Sequence, residues 1–254
     1  MRVRRVGYVL PLLCLFAVVV DARAGGRRFT YVYEALTMPK GAMEYEQWVT
    51  WKTAKENDRD FDRFDFRHEI EWGVTDNFQL ALYVADWRYD ADKRKGDFRD
   101  IAVEAIYNFT NPVTDPIGFS LYGEIQIGDE KLELEGKVIL EKDIGSFVLA
   151  YNLVLEAEWE GHHFVEDKGV IQQVAGISYQ FSPRFMMGLE LLHELQIPDW
   201  AGIQGKGLLY LGPNFSYRTQ KWWATLTPMF QLSDVEDEPD FQMRLLVGIP
   251  FGGK

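Results

Sequence analysis

The chain has 254 residues, of which 47% are hydrophobic and 15% aromatic, and it carries a formal net charge of −12. This excess of acid argues against a nucleic-acid partner, because phosphate backbones are bound by basic surfaces. The single cysteine, Cys14, lies within the first 24 residues. The remainder of the chain therefore has no thiol for disulfide, metal or nucleophilic chemistry.

The first 24 residues have the order of a secretory signal peptide. Three of the first five residues are arginines, residues 6–20 are apolar, and Ala22-Arg23-Ala24 supplies small residues for cleavage. The apolar run is shorter than the roughly 20 residues that a membrane-spanning helix needs. We predict a signal peptide at residues 1–24, cleaved after Ala24. Its removal takes away four arginines and one aspartate, which changes the net charge from −12 to −15.

The remaining chain alternates apolar and polar residues in short segments. In chain order, this pattern predicts strands at residues 43–52, 63–72, 78–88, 98–109, 117–127, 132–142, 147–159, 170–181, 185–195, 208–218, 222–232 and 241–251. Segments of roughly 11 residues are long enough to cross a bilayer at a tilt. Turns rich in Gly, Pro, Asn and Asp alternate with mostly longer, charged loops, as in transmembrane barrels.

The last strand, Phe241–Phe251, places apolar side chains at every second position. Because side chains alternate across a strand, one of its faces is continuous hydrocarbon. An apolar face that ends on an aromatic residue is typical of the closing strand of an outer-membrane barrel. We therefore predict an all-β fold, a closed antiparallel transmembrane up-and-down β-barrel of about 12 strands, with short periplasmic turns and longer charged outer loops.

The predicted barrel spans residues 42–251, followed by a C-terminal tail at 252–254. Residues 25–41 are interpreted as a periplasmic N-terminal lead-in, with part of a first strand as the alternative. Pro213 and Pro228 predict β-bulges, because proline removes a ladder hydrogen bond. Tryptophans near the strand ends predict aromatic girdles, which a soluble β-sandwich or lipocalin-like barrel would leave unexplained; they are Trp51, Trp87 and Trp159 at outer ends and Trp72, Trp222 and Trp223 at inner ends.

Charged residues occupy the strand positions opposite the apolar face, which predicts that they line the lumen. The candidate pore-lining residues are Glu44, Glu46, Lys52, Arg63, Asp65, Arg67, Glu69, Glu71, Glu104, Glu124, Glu133, Glu135, Lys137, Glu156, Glu158, Glu190 and Arg244. They favour a narrow channel for small polar or cationic solutes, because rings of charged side chains select ions. The alternative is a non-conducting structural or adhesive barrel whose lumen is filled by a polar network.

Other chemistries find less support in the sequence. Glu160 to His163, followed by Glu166 and Asp167, contains metal-ligand residue types, but its spacing matches no defined metal site. The second alternative is an outer-membrane lipid hydrolase, which would need a Ser/His pair; neither His68 nor His193 has a serine partner in its own segment, so the partner would have to come from another strand. We predict no metal site, no cofactor and no enzymatic activity. The acidic segment 234–240 is an alternative site for divalent or lipopolysaccharide-bridging cations.

Several stretches together resemble a family. They are Met38-Pro39-Lys40-Gly41, Gly73-Val74-Thr75-Asp76-Asn77-Phe78, Asn111-Pro112-Val113-Thr114-Asp115-Pro116, Gly212-Pro213 and the terminal strand. In these the chain resembles largely uncharacterised outer-membrane β-barrels of Gram-negative bacteria, some described as transporters or linked to phenol and other aromatic-compound degradation. The resemblance implies location in the bacterial outer membrane. It also implies outer-membrane lipids, lipopolysaccharide, the barrel-assembly machinery (through the C-terminal strand) and an unknown small solute as partners.

Overall fold

A computed structural model describes residues 26–161 and 165–251. Its twelve strands are β1 (Met43–Lys55), β2 (Asp62–Thr75), β3 (Phe78–Asp90), β4 (Lys95–Thr110), β5 (Gly118–Gly128), β6 (Lys131–Ile144), β7 (Phe147–Glu160), β8 (Val165–Gln180), β9 (Phe185–Pro198), β10 (Gln204–Arg218), β11 (Trp223–Gln231) and β12 (Pro239–Phe251). Each strand pairs with its neighbours in the sequence, and β12 pairs antiparallel with β1 to close the barrel. The predicted fold class is confirmed. Among the described residues, no helix is long and apolar enough to cross a membrane.

The outside of the barrel is apolar because the sequence alternates with the pleat of the strands. On β7, Leu149 and Leu155 are exposed while the intervening Asn152 and Val154 are buried. On β12, Leu245 is exposed and Leu246 is buried towards the interior. Hydrocarbon side chains therefore form the surface that meets lipid, as in outer-membrane barrels.

The bulges predicted at Pro213 and Pro228 are not present. The register between β10 and β11 is the same before and after these prolines, since Leu211 pairs with Phe230 and Phe215 with Leu226. The ladder between β10 and β11 is interrupted between these two pairs, where Pro213 and Pro228 have no N–H to donate; on their other edges Pro213 pairs with Leu189 on β9 and Pro228 with Met243 on β12. The register shifts lie elsewhere, between β2 and β3, β3 and β4, β4 and β5, β7 and β8, and β9 and β10.

One of the predicted girdle tryptophans points the other way. Trp72 and Trp222 are more than two-fifths exposed on the outside of the barrel, whereas Trp223 is buried in the interior. The Trp223 indole N–H donates a hydrogen bond of 2.8 Å to Glu44 on β1. A tryptophan pair at a strand end alternates across the wall, so only one member can face lipid.

The N-terminal segment is the main departure from the prediction. Residues 26–41, here called the plug, form no strand and do not lie outside the barrel in the periplasm; they fold back into its lumen. Phe29, Val32 and Ala35 are fully buried there. A barrel of this size leaves more interior space than inward side chains alone occupy, so a chain segment can enter it. The position of the plug corrects both readings of residues 25–41.

Candidate functional site: a plugged lumen

The plug is held by polar side chains that project from the barrel wall. Its tightest anchor is Glu190 on β9, which is fully buried. The carboxylate of Glu190 accepts hydrogen bonds from the backbone amides of Thr30 (2.9 Å), Tyr31 (2.7 Å) and Val32 (3.1 Å), and one from the hydroxyl of Thr227 (2.6 Å). Charge-assisted hydrogen bonds of this kind are roughly twice as strong as neutral ones.

Other polar side chains, neutral and acidic, continue this arrangement along the plug. Asn152 on β7 accepts from the Tyr33 amide at 2.6 Å and donates to the Tyr33 carbonyl at 3.0 Å. Glu141 on β6 accepts from the Ala35 amide at 2.6 Å, and Asn108 on β4 donates to the Ala35 carbonyl at 2.7 Å. The wall therefore replaces the backbone partners that a strand would have supplied.

The ends of the plug contact opposite sides of the barrel. Ser216 on β10 donates to the carbonyl oxygen of Arg27 at 3.0 Å. On the other side, Gln79 on β3 accepts a hydrogen bond of 2.9 Å from the Met38 amide. These wall residues lie near the ends of their strands on the periplasmic side, so the plug crosses and fills the periplasmic half of the lumen.

Two plug arginines neutralise part of the acidic wall. The Arg28 guanidinium pairs with Glu34 within the plug and lies 3.7 Å from the Glu141 carboxylate of the wall. The Arg27 guanidinium lies 3.7 Å from the Glu46 carboxylate and stacks over the Trp48 ring, 4.7 Å from its centroid. Cation–π contacts gain strength when desolvated, as they are here.

The outer half of the lumen contains a polar cavity of about 320 Å³. Charges of both signs line it: Lys52, Asp65, Arg67, Asp86, Arg88, Arg99, Asp100, Lys131, Glu133 and Arg244. Asp65 pairs with Lys52 (3.0 Å) and with Arg88 (2.8 Å) across neighbouring strands. Trp48 also borders this cavity, and its stacking on Arg27 connects the cavity to the plug.

All seventeen residues predicted to line the pore occupy inward-facing strand positions. Those bordering the outer cavity are Lys52, Asp65, Arg67, Glu133 and Arg244. Those contacting the plug are Glu46, Glu104, Glu190, Lys137 and Arg244, the last through a 3.4 Å hydrogen bond to the Thr30 carbonyl and stacking on Tyr31.

The others pair with wall residues or lie in acidic clusters; they are Glu44 with Trp223, Arg63 with Asp90, Glu124 with Arg67, Glu135 with Lys137, Glu156 with Gln172, Glu158 with Lys168, and Glu69 with Glu71.

Sequence reasoning missed the neutral side chains that hold the plug. Asn108, Ser120, Asn152, Asn214 and Gln79 are all buried and all bond the plug backbone. The sequence does offer one signal for these anchors: uncharged amide side chains stand at inward-facing positions of strands whose other residues are apolar or acidic. Without the path of residues 26–41, that signal does not distinguish a plug anchor from a water-facing pore residue.

The strand histidine His68 faces the outside of the barrel among aromatic residues. Its Nδ1 lies 2.8 Å from the Tyr45 hydroxyl, and its Nε2 accepts a hydrogen bond of 3.1 Å from the Trp87 indole. Both ring nitrogens are therefore engaged by aromatic side chains, Tyr45 and Trp87. His162 and His163 lie outside the described residues, as do the predicted signal peptide and the C-terminal tail.

The acidic outer loop between β11 and β12 is bound to the loop between β1 and β2. The Lys55 ammonium donates a hydrogen bond to the main-chain carbonyl of Asp237, and the Asn57 side chain donates one to the Asp237 carboxylate. Arg59 forms an ion pair with Asp240. Burial raises the pKa of Glu238 in this loop, and the nearby Glu194 carboxylate raises it further. The loop's acids are thus partly neutralised by neighbouring cationic residues.

A model for a "Family of unknown function (DUF6662)" matches residues 21–242. The chain belongs to the DUF6662 family. No curated protein shows significant sequence similarity to it.

Solved structures share the fold of this DUF6662 member. The COG4313 outer membrane channel from Pseudomonas putida F1 aligns with a TM-score of 0.63 at 14% identity, covering 88% of this chain and 100% of that one. The NanC porin aligns with a TM-score of 0.55 at 9% identity, covering 81% of this chain and 98% of that one. The KdgM porin, in complex with disordered oligogalacturonate, aligns with a TM-score of 0.53 at 12% identity, covering 84% of this chain and 99% of that one. The DUF6662 chain therefore shares the closed β-barrel fold of these outer-membrane channels and porins.

Proposed function

We propose that this protein is an outer-membrane channel for small polar or cationic solutes, closed by its own N-terminal plug and opened when the plug moves. The observation that carries the proposal is the way the plug is attached. It contributes no strand to the barrel, and its backbone is bonded by wall side chains. The plug can therefore leave the lumen without breaking any ladder between strands.

The charge of the lumen supports a preference for cations. Of the seventeen proposed pore-lining residues, twelve are acidic and five are basic. While the plug is docked, Arg27 and Arg28 offset part of this charge; when it moves, they leave with it. An acid-lined passage attracts cations and repels anions.

The outer cavity supports a polar rather than an apolar solute. Its ion-paired lining offers donors and acceptors of both charges within a volume of about 320 Å³. That volume is at the lower end of the usual range for small-molecule pockets, about 300–1,000 Å³. A small hydrophilic solute would fit there before the plug moved.

The proposal is tested by fixing the plug to the wall. The Ser120 hydroxyl donates to the Ala35 carbonyl at 2.5 Å, so these two positions are neighbours. Since no cysteine follows residue 24, the double variant Ala35→Cys/Ser120→Cys gives the chain one engineered pair, whose oxidation is checked by thiol labelling. In planar bilayers we expect reduced protein to show cation-selective openings and oxidised protein to show none. Ser120→Cys alone is the matched control.

Two results would overturn the channel. Folded wild-type protein that never conducts, including under applied voltage, would favour the non-conducting structural barrel. Equal conductance of the oxidised and reduced double variant, with the disulfide formed, would show that the plug does not gate the lumen. The structural barrel is the second candidate, because the plug and inward side chains fill the periplasmic half.

We also propose that the chain is exported by a signal peptide cleaved after Ala24 and is inserted by the barrel-assembly machinery through β12. Lipids and lipopolysaccharide would then surround the apolar exterior, and no enzymatic role is proposed. Amino-terminal sequencing of the protein from outer-membrane fractions tests the cleavage; a start other than Gly25 would contradict it.

A further inference from the structure

Three glutamates from two strands meet inside the barrel beneath the plug. Glu69 and Glu71 lie on β2 and Glu104 lies on β4. One carboxylate oxygen from each lies within 4.8 Å of the other two. Glu69 and Glu104 have no exposed surface, and Glu71 is only 7% exposed. The group is therefore a buried cluster of formally negative side chains.

The carboxylate of Glu69 has no hydrogen-bond partner at either oxygen, and Oε1 of Glu104 also has none. Glu104 Oε2 accepts from the Tyr83 hydroxyl at 2.7 Å and from the Tyr33 hydroxyl of the plug at 3.3 Å. An ionised carboxylate that is fully buried without a partner is strongly unfavourable. Something other than a protein donor is therefore needed to satisfy Glu69.

Two other acidic clusters in the lumen do have partners from the chain. In one, Lys131 lies 2.8 Å from Glu133, and Lys137 pairs with Glu135. The other, Glu44 with Glu46 and Glu71, shares Glu71 with the present group; in it the Trp223 indole donates to Glu44, and Arg27 lies 3.7 Å from Glu46.

By contrast, within residues 26–161 and 165–251 no Lys or Arg nitrogen lies within 4.0 Å of the Glu69, Glu71 or Glu104 carboxylates. Arg27 of the plug and Lys137 contribute positive charge at longer range, but among the described residues neither forms an ion pair with this cluster.

We propose that Glu69, Glu71 and Glu104 bind one hard divalent cation, with Ca²⁺ preferred over Mg²⁺. Carboxylate oxygens are the ligands of such ions, and Ca²⁺ accepts irregular arrangements at about 2.3–2.6 Å. Oxygens bound to one Ca²⁺ are at most about 5 Å apart, and the three carboxylate oxygens, which all lie within 4.8 Å of one another, meet this limit. Mg²⁺ demands a smaller octahedron and retains waters, which this enclosed site accommodates less well.

The site lies where the plug meets the wall, so a bound cation would act on both. Tyr33 belongs to the plug and contacts Glu104 directly, and Tyr83 on the wall lies 3.2 Å from the Tyr33 hydroxyl. Relieving repulsion among the three carboxylates would hold Glu104 in place as an acceptor for both tyrosines. The binding site does not depend on whether the barrel conducts.

The test uses full-length mature protein, folded in detergent and freed of metal with a chelator. Tb³⁺ is titrated while its luminescence is excited through neighbouring aromatic rings, and Ca²⁺ and Mg²⁺ are added as competitors. We expect saturable binding of one ion per chain and displacement by Ca²⁺ at lower concentration than by Mg²⁺. Absence of saturable binding to folded wild-type protein would overturn the proposal and leave shared protons as the means of neutralisation.

Isosteric variants locate the site. Glu69→Gln/Glu104→Gln should weaken Ca²⁺ binding about 100-fold or more, because two charged ligands are lost. Glu133→Gln/Glu135→Gln removes the same charge from the lysine-paired cluster and should leave the affinity unchanged. Equal loss in both variants, or no loss in the first, would refute the assignment. If the first variant does not fold, Glu69→Gln alone is compared with Glu135→Gln on the same criterion.

Discussion

The anchoring of the plug by Glu190 leads to a quantitative prediction for Glu190→Gln. The change keeps the shape of the side chain but removes its charge and turns one oxygen into an N–H donor. That donor would face the backbone amides of Thr30, Tyr31 and Val32, which now all donate to the carboxylate. The three plug amides would therefore share a single uncharged oxygen, and the bond that Thr30 makes to Oε1 of the carboxylate would be lost.

The size of the effect follows from the number and kind of hydrogen bonds. A hydrogen bond to a charged group contributes about 1.5–3 kcal/mol. Glu190 is fully buried, so water does not replace a lost partner in the docked state. Loss of one or two such bonds should weaken docking of the plug by about 3 kcal/mol, which corresponds to a factor of about 100 in the docking equilibrium.

Hydrogen exchange followed by mass spectrometry measures this equilibrium in the folded barrel. Amides protected by local docking exchange at a rate set by the fraction of time the segment is open. We expect the amides of residues 30–32 to exchange about 100-fold faster in Glu190→Gln than in wild-type protein. Amides in the β6–β7 ladder should keep their protection, since that ladder does not involve the plug.

Glu156→Gln is the matched control, because Glu156 also faces the lumen but bonds Gln172 rather than the plug. Its plug amides should exchange at the wild-type rate. Unchanged exchange of residues 30–32 in folded Glu190→Gln would refute the anchoring role of Glu190. Equal acceleration in both variants would instead indicate a general effect of lumen charge.

Two further changes test packing and membrane placement. An added Cβ at Gly248 would lie 2.1 Å from the Trp223 indole nitrogen, so Gly248→Ala should displace that ring and lower the free energy of unfolding by about 1–3 kcal/mol in urea titrations. Gly123→Ala is the control, because the nearest atom to its added Cβ lies at 4.0 Å. Equal stability of the two variants would contradict the close packing at Gly248. Leu155→Arg places a charge on the exposed outer face and should lower the free energy of unfolding in lipid by about 2–4 kcal/mol. The control Leu155→Phe should cost little. If Leu155→Arg left the stability unchanged, Leu155 would not face the hydrocarbon.

The wall of the barrel could be predicted from the sequence because its pattern is local. Each strand alternates with a period of two, so the order of residues alone assigns Leu149 to the lipid and Glu190 to the interior. Membrane placement then follows, since a closed barrel is the only way to cross a bilayer with strands. Strand number, closure of β12 on β1 and the inward set of charges all derive from that rule.

The contents of the lumen were decided only by the tertiary structure. Residues 26–41 have no periodicity that assigns them to the interior. The side chains that anchor them come from strands far apart in the sequence, such as β3 with Gln79 and β10 with Asn214. The meeting of Glu69 and Glu71 with Glu104 likewise depends on the register between strands, which places Glu71 on β2 and Glu104 on β4 on either side of Ala81 on β3. Alternation fixes which face a side chain occupies, whereas its partner on that face depends on how the closed sheet folds around the plug.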